Sequence, residues 1–205
     1  MKKVFALTIV SLFVLAGSAM ALPNLPTDYA WSNSDFWTLT DTDTNLDTAS
    51  FVLNFDASAI HSADFGLFTV DDSGNLLDSL EVFDRTETFG FESVAFTKDG
   101  GSWKATAGGV TKENFGVFGF YFEDDNGVYY TLADLNDGGV EYIHIAQSLS
   151  SPSDIQIFLD VAPFDETDIK VIAIDVAPVP EPGTVLLLGV GLLGLIGLGR
   201  KRIKK

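Results

Sequence analysis

The sequence predicts an all-β fold, an antiparallel β-sandwich of jelly-roll type, held between an N-terminal signal helix and a C-terminal membrane-spanning helix. Three observations predict it. Apolar residues come in short runs of strand length, Asp, Asn and Gly clusters punctuate those runs, and each end of the chain sets an apolar segment beside lysines or arginines. The 205 residues include 29 acidic and 12 basic side chains and no cysteine.

Residues 1–21 open with Lys2 and Lys3, run without charge from Val4 to Ala16, and end in Ala19-Met20-Ala21. Small residues at Ala19 and Ala21 suit the narrow pockets of signal peptidase, so cleavage is expected after Ala21. Residues 22–34 read as a linker. The acidic β-sandwich domain is expected over 35–176, with strands over Phe51–Phe55, Leu76–Phe83, Phe91–Phe96, Phe115–Phe122, Val140–Ala146, Ile155–Val161 and Ile169–Val176. Asn126-Gly127, between Phe118–Phe122 and Val128–Leu132, carries the strongest hairpin signal, because both residues tolerate the positive φ of a tight turn. Residues 177–183 read as a second linker.

Thr184–Gly199 carries no charge and spans about 24 Å as a helix, enough for a bilayer. Five basic residues follow within residues 200–205. By the positive-inside bias that tail is cytoplasmic and the acidic domain lies across the membrane.

Charge excludes one partner class outright. Residues 22–178 hold five basic and 28 acidic side chains, a net charge of 5 − 28 = −23. Such a surface repels phosphate backbones, so nucleic acid is not a partner. The 23 aromatic residues in the same stretch argue against disorder. Without cysteine there are no disulfides, thiolate metal sites or cysteine nucleophiles.

Catalytic patterns are weak. His61 and His144 are the two histidines, no Gly-x-Ser-x-Gly elbow surrounds any serine, and carboxylates are too abundant for a catalytic pair to stand out. Calcium has more to recommend it, because hard cations want several oxygen ligands. Asp41, Asp43 and Asp47 fall at alternate positions in one stretch, and Asp134 and Asp137 share another. The first stretch begins like an EF-hand, but Leu46 replaces the turn glycine and Val52 the bidentate glutamate. Trp31, Trp37, Trp103, Tyr129 and Tyr130 are candidates for stacking on sugar faces.

Just before the apolar segment stands Val179-Pro180-Glu181-Pro182-Gly183. Two prolines keep Glu181 extended and out of the helix. Pro180-Glu181-Pro182, a short Gly/Leu-rich span and a basic end together resemble the PEP-CTERM sorting signal of Gram-negative bacteria. The resemblance implies recognition by exosortase, a membrane cysteine protease and transpeptidase-like enzyme, from an inner-membrane-anchored precursor whose domain lies in the periplasm. It also implies a link to exopolysaccharide and biofilm at the cell surface. Residues 115–176 more faintly resemble a domain of unknown function that often precedes this signal, with Asp165 and Asp168 matching the outer aspartates of its closing motif.

The leading expectation is therefore a non-enzymatic exported protein, a surface or matrix component alongside polysaccharide. A calcium-dependent carbohydrate-binding or adhesion module is the alternative, and a secreted hydrolase the third reading.

Overall fold

The computed structural model describes residues 25, 27–40, 46–55, 63–86, 89–159 and 169–179. The signal-peptide stretch with Ala19 and Ala21, the Pro180–Pro182 motif, the apolar segment, His61, Asp41, Asp43, Asp165 and Asp168 lie outside the described residues.

Within the described residues the fold is an antiparallel sandwich of unequal layers, as the alternating runs predict. The larger layer has eight strands in the order β1 (Tyr29–Ser32), β11 (Ile143–Ser148), β12 (Asp154–Leu159), β13 (Ile169–Ile174), β3 (Leu46–Phe55), β6 (Phe89–Asp99), β7 (Ser102–Ala107) and β8 (Val110–Glu113). The smaller has four, β10 (Val128–Tyr130), β9 (Gly119–Glu123), β4 (Asp64–Val70) and β5 (Leu76–Phe83). A short ribbon of β2 (Trp37–Leu39) and β14 (Val176–Pro178) completes it.

Phenylalanine fills the space between the layers. Phe65 stacks on Phe120 with ring centroids 6.0 Å apart, Phe96 stacks on Phe118 at 5.5 Å, and Phe51 and Trp37 also pack against Phe120. Each of these residues is fully buried. Ring pairs of this kind add about 0.5–1.5 kcal/mol each beyond the area they bury.

Several boundaries differ from the sequence reading. Tyr29–Ser32, inside the stretch read as linker, pairs with Ile145–Ser148 as the edge of the larger layer. Ala177 and Pro178, read as the start of the second linker, pair with Thr38 and Trp37. Strand β4 was not foreseen, because its Phe-Gly-Leu-Phe-Thr core is buried on both faces and shows no alternation. The Phe115–Phe122 run becomes strand only from Gly119, since Phe115 and Phe118 instead place their backbone groups on Trp103 and Trp37. The Val140–Ala146 run becomes strand only from Ile143, after two 3-10 turns, Ala133–Leu135 and Asp137–Gly139.

The Asn126-Gly127 hairpin forms, but as a four-residue loop between Glu123 and Val128. Asp124 organises it, its Oδ1 accepting the N–H groups of Asn126 at 2.7 Å and Gly127 at 2.9 Å. Two-glycine turns with positive φ throughout occur instead at Gly100-Gly101, between β6 and β7 (φ 58° and 98°), and at Gly108-Gly109, between β7 and β8 (φ 56° and 80°).

Candidate functional site

Strand β1 and its exit build a polar cleft with an aromatic lining. Trp31 projects from β1 on the face opposite the core. Its ring meets His144 edge-on at 6.2 Å and Phe158 at 5.7 Å. Those two residues are register partners on β11 and β12, and Trp31, whose own partner is Ala146, reaches them diagonally, so that Trp31 and His144 together line the cleft.

Asn33–Asp35, at the exit of β1, lines the same cleft. Thr131 Oγ1 accepts the Phe120 N–H at 3.1 Å and donates to the Asp35 carbonyl at 2.9 Å, fixing the β1–β2 connection to the smaller layer. Glu141, Ile143 and Ile145 close the remainder, and the cleft encloses about 310 Å³. That is near the lower bound for small-molecule sites, about 300 Å³.

Burial pushes the His144 imidazole below its ordinary value, with Glu141 acting in the opposite sense. The ring is therefore neutral near pH 7 and offers one donor and one acceptor. With the Glu141 and Asp35 carboxyl groups and the Asn33 amide nearby, the cleft sets hydroxyl-binding groups beside an aromatic surface.

The other acids have structural tasks. Asp64 accepts the Arg85 N–H at 2.6 Å and pairs with the Arg85 guanidinium at 2.9 Å, which also reaches Asp125 at 2.7 Å. Asp71 Oδ1 accepts the N–H groups of Ser73 and Asn75, and these bonds hold its carboxyl below the usual range. A groove of about 570 Å³ beside β5 gathers Glu81, Asp84, Glu92 and Glu123 around Lys112 and Tyr121. Desolvation, reinforced by Asp64, Asp84 and Glu123, raises the Glu81 carboxyl above its ordinary value.

The calcium candidates do not converge on one place among the described residues. No group of three or more His, Asp or Glu side chains there is arranged to hold a metal. Asp134 and Asp137 are exposed on the two 3-10 turns. Between them Asn136 turns inward, where its Oδ1 accepts the Tyr130 N–H at 2.7 Å and its Nδ2 donates to the carbonyls of Tyr130 and Val140 at 2.9 and 2.8 Å. Asp47 lies on β3, with Oδ1 accepting the Thr48 N–H at 2.7 Å and Oδ2 buried without a hydrogen-bond partner.

The C-terminal strand leads directly into the motif that the sequence singled out. Val179 donates its N–H to the Phe36 carbonyl at 2.9 Å, and Pro180 follows. The family model for the PEP-CTERM protein-sorting motif matches residues 178–202. The chain carries a PEP-CTERM sorting signal. The match covers the signal and the last residue of β14, so it describes how the protein travels: an exported, exosortase-sorted chain with a membrane-anchored precursor. No helix among the described residues is long and apolar enough to cross a membrane. No curated protein and no solved structure matches the chain.

Of the sugar-stacking candidates, the structure puts Trp31 in the cleft, Trp37 in the core, and Tyr129 and Tyr130 on β10. His144 is half-buried on β11 and lines the cleft. Asn33, Asp35, Thr131 and Glu141 were missed. They come from three separate segments, and only the pairing of β1 with β11 brings them together.

Proposed function

We propose that this is a non-enzymatic protein, sorted through its C-terminal signal to the cell surface or extracellular matrix, where the cleft at Trp31 and His144 takes a sugar unit of a polysaccharide. The observation that carries this reading is that Trp31 and His144 line one cleft of about 310 Å³ together with the polar residues Asn33, Asp35 and Glu141. An indole face supplies apolar area for a pyranose ring, while Glu141, Asp35 and Asn33 suit its hydroxyl groups. The net charge of −23 over residues 22–178 favours a neutral sugar over a uronic acid.

The test is a glycan array probed with the full chain in detergent, as wild type and as Trp31→Ala. Retention of neutral glycans by the wild type, weakened at least tenfold in the variant at an unchanged melting temperature, is the expected result. Absence of any retained glycan removes the sugar reading. Sorting is tested separately by Glu181→Ala, which should leave unprocessed precursor in the membrane of a host that has the exosortase.

A second reading, a calcium-dependent module, is favoured by Asp47, whose Oδ2 is buried without a hydrogen-bond partner beside the sequence positions of Asp41 and Asp43. A cation there would relieve an otherwise unsatisfied carboxylate oxygen.

A further inference from the structure

The folded domain and the sorting motif share a boundary with no spacer. Val176–Pro178 pairs with Trp37–Leu39, and the next residue, Val179, is still bound to Phe36. Pro180-Glu181-Pro182 begins at the following position. Between Pro178 and Pro182 only Val179 and Glu181 carry a backbone N–H, since proline has none. One of those two donors is already committed to Phe36.

A processing enzyme that binds an extended peptide recognises residues on both sides of the motif through main-chain hydrogen bonds. It would compete for the Val179 N–H. The chain also offers little slack on the membrane side, because the five peptide steps from Val179 to Thr184 reach at most ~18 Å.

The strand that holds this boundary is short. It has three residues in a two-stranded ribbon, anchored by the fully buried Val176 and by the Val176 N–H on the Ser153 carbonyl at 3.3 Å. Asp175 stands before it with φ at 69°, a left-handed conformation that costs a non-glycine residue free energy. The chain therefore has a strained turn at the point where the strand would swing away, and one buried side chain as its main attachment.

We propose that β14 is a latch on the sorting signal: it must separate from β2 before the Pro180-Glu181-Pro182 motif is bound for processing, so the β2–β14 pairing sets the rate of sorting. This rests on the reading that the motif is what the processing enzyme recognises. Folding and processing are then coupled, since the same four residues serve the domain before cleavage and the enzyme during it.

The absence of cysteine gives a clean test. Thr38 and Ala177 are direct register partners, with an antiparallel spacing of ~5.5 Å that a disulfide can bridge. The full chain with Thr38→Cys and Ala177→Cys is expressed in a host with its exosortase, and processing is followed by pulse-chase. The oxidised chain should be processed at least tenfold more slowly than the Thr38→Cys single variant. Reduction should restore the rate, as should eight Gly/Ser residues inserted between Val179 and Pro180 of the locked chain. Val176→Ala, which loosens the strand without a crosslink, should speed processing. Wild-type rates in the oxidised chain, failure of the insertion to restore them, or no gain from Val176→Ala overturns the latch. Glu181→Ala in the unlocked chain separates the two ideas: normal processing of that variant overturns recognition of the motif itself, whereas a block there with a freely processed locked chain overturns the latch alone.

Discussion

Lys112 Nζ lies 2.6 Å from Asp78 Oδ1, joining the outermost strand of the larger layer, β8, to the outermost strand of the smaller one, β5. The sandwich is thus closed by charge at the side where its two sheets end. A charged group on each edge also discourages pairing with another chain.

Lys112→Met should lower stability by about 0.5–1 kcal/mol at neutral pH, since both partners are about one-third exposed and solvent screens the pair. The Lys112 hydrogen bond is the leading cause that holds the Asp78 carboxyl below its ordinary range. A depressed carboxyl contributes stability above its unfolded value, near 3.9, and loses that contribution as pH falls through the folded value. Urea melts should therefore show the wild-type advantage at pH 7 fading below about pH 4.

Asn136 makes three hydrogen bonds to the backbone of Tyr130 and Val140 from a buried side chain. Asn136→Ala leaves those groups without partners and should cost about 2–3 kcal/mol. Asn136→Asp should cost more at pH 7, because a carboxylate can accept from the Tyr130 N–H but faces two carbonyl oxygens with no proton to donate. Its loss should shrink in acid, where the carboxyl regains a proton. Denaturation of both variants at pH 7 and pH 4 checks the order.

His144 gives the domain a second pH dependence, of the same sign but in a higher pH window. Its folded value is lowered by burial, so protons bind the unfolded chain first as pH drops below about 6.5. The wild type should lose stability between pH 7.5 and 5.5, and His144→Gln should lose less. Equal losses in the two proteins would place the titrating group elsewhere.

Two glycines on β4 and β9 test how the smaller sheet makes room for rings. A Cβ on Gly66 would meet the Leu80 carbonyl and the Tyr121 ring, while one on Gly119 would meet the Phe68 ring and Thr131 Oγ1. Both alanine variants should be destabilised by about 1–3 kcal/mol through overpacking. The obstacles at Gly119 are side chains, so Phe68→Leu should recover part of the Gly119→Ala loss in a double-mutant cycle. Tyr121→Leu should do little for Gly66→Ala, because the Leu80 carbonyl is backbone and stays.

The same residues show which parts of the fold the sequence discloses. Ile143-His144-Ile145 alternates because one face packs against the core, and that pattern is visible in the letters, whereas Ile169–Ile174 alternates in burial with apolar residues on both faces. Phe65–Thr69 is buried on both faces and so shows no alternation, and Gly66 within it leaves room for the Tyr121 ring. On β5, Val82 and Phe83 are both buried, and the break in alternation coincides with a register shift opposite Phe65 and Gly66. The sorting signal is local and continuous, so Pro180, Glu181 and Pro182 were legible without a fold. The cleft was not, because Trp31 lies about a hundred residues before Thr131 and His144 in the sequence and meets them only in the folded chain.

Asp47 decides between the plain acidic sandwich and the calcium module. Its Oδ2 lacks a hydrogen-bond partner in a buried position, an unsatisfied oxygen that a cation would supply with a partner. A divalent ion bound only by the folded state adds stability by mass action, about 2.7 kcal/mol at a concentration of ~100 times its dissociation constant. Salt screening gives a smaller gain that monovalent ions reproduce at matched ionic strength. Thermal melts of the full chain in calcium and in matched sodium chloride should differ by several degrees if Asp47 is a ligand, and Asp47→Asn should abolish that difference. Asn in its place retains an acceptor for the Thr48 N–H, so the variant removes charge more than structure. Coincident wild-type curves in the two salts would leave Asp47 as an ordinary strand acid and the sandwich without a calcium site at the start of β3.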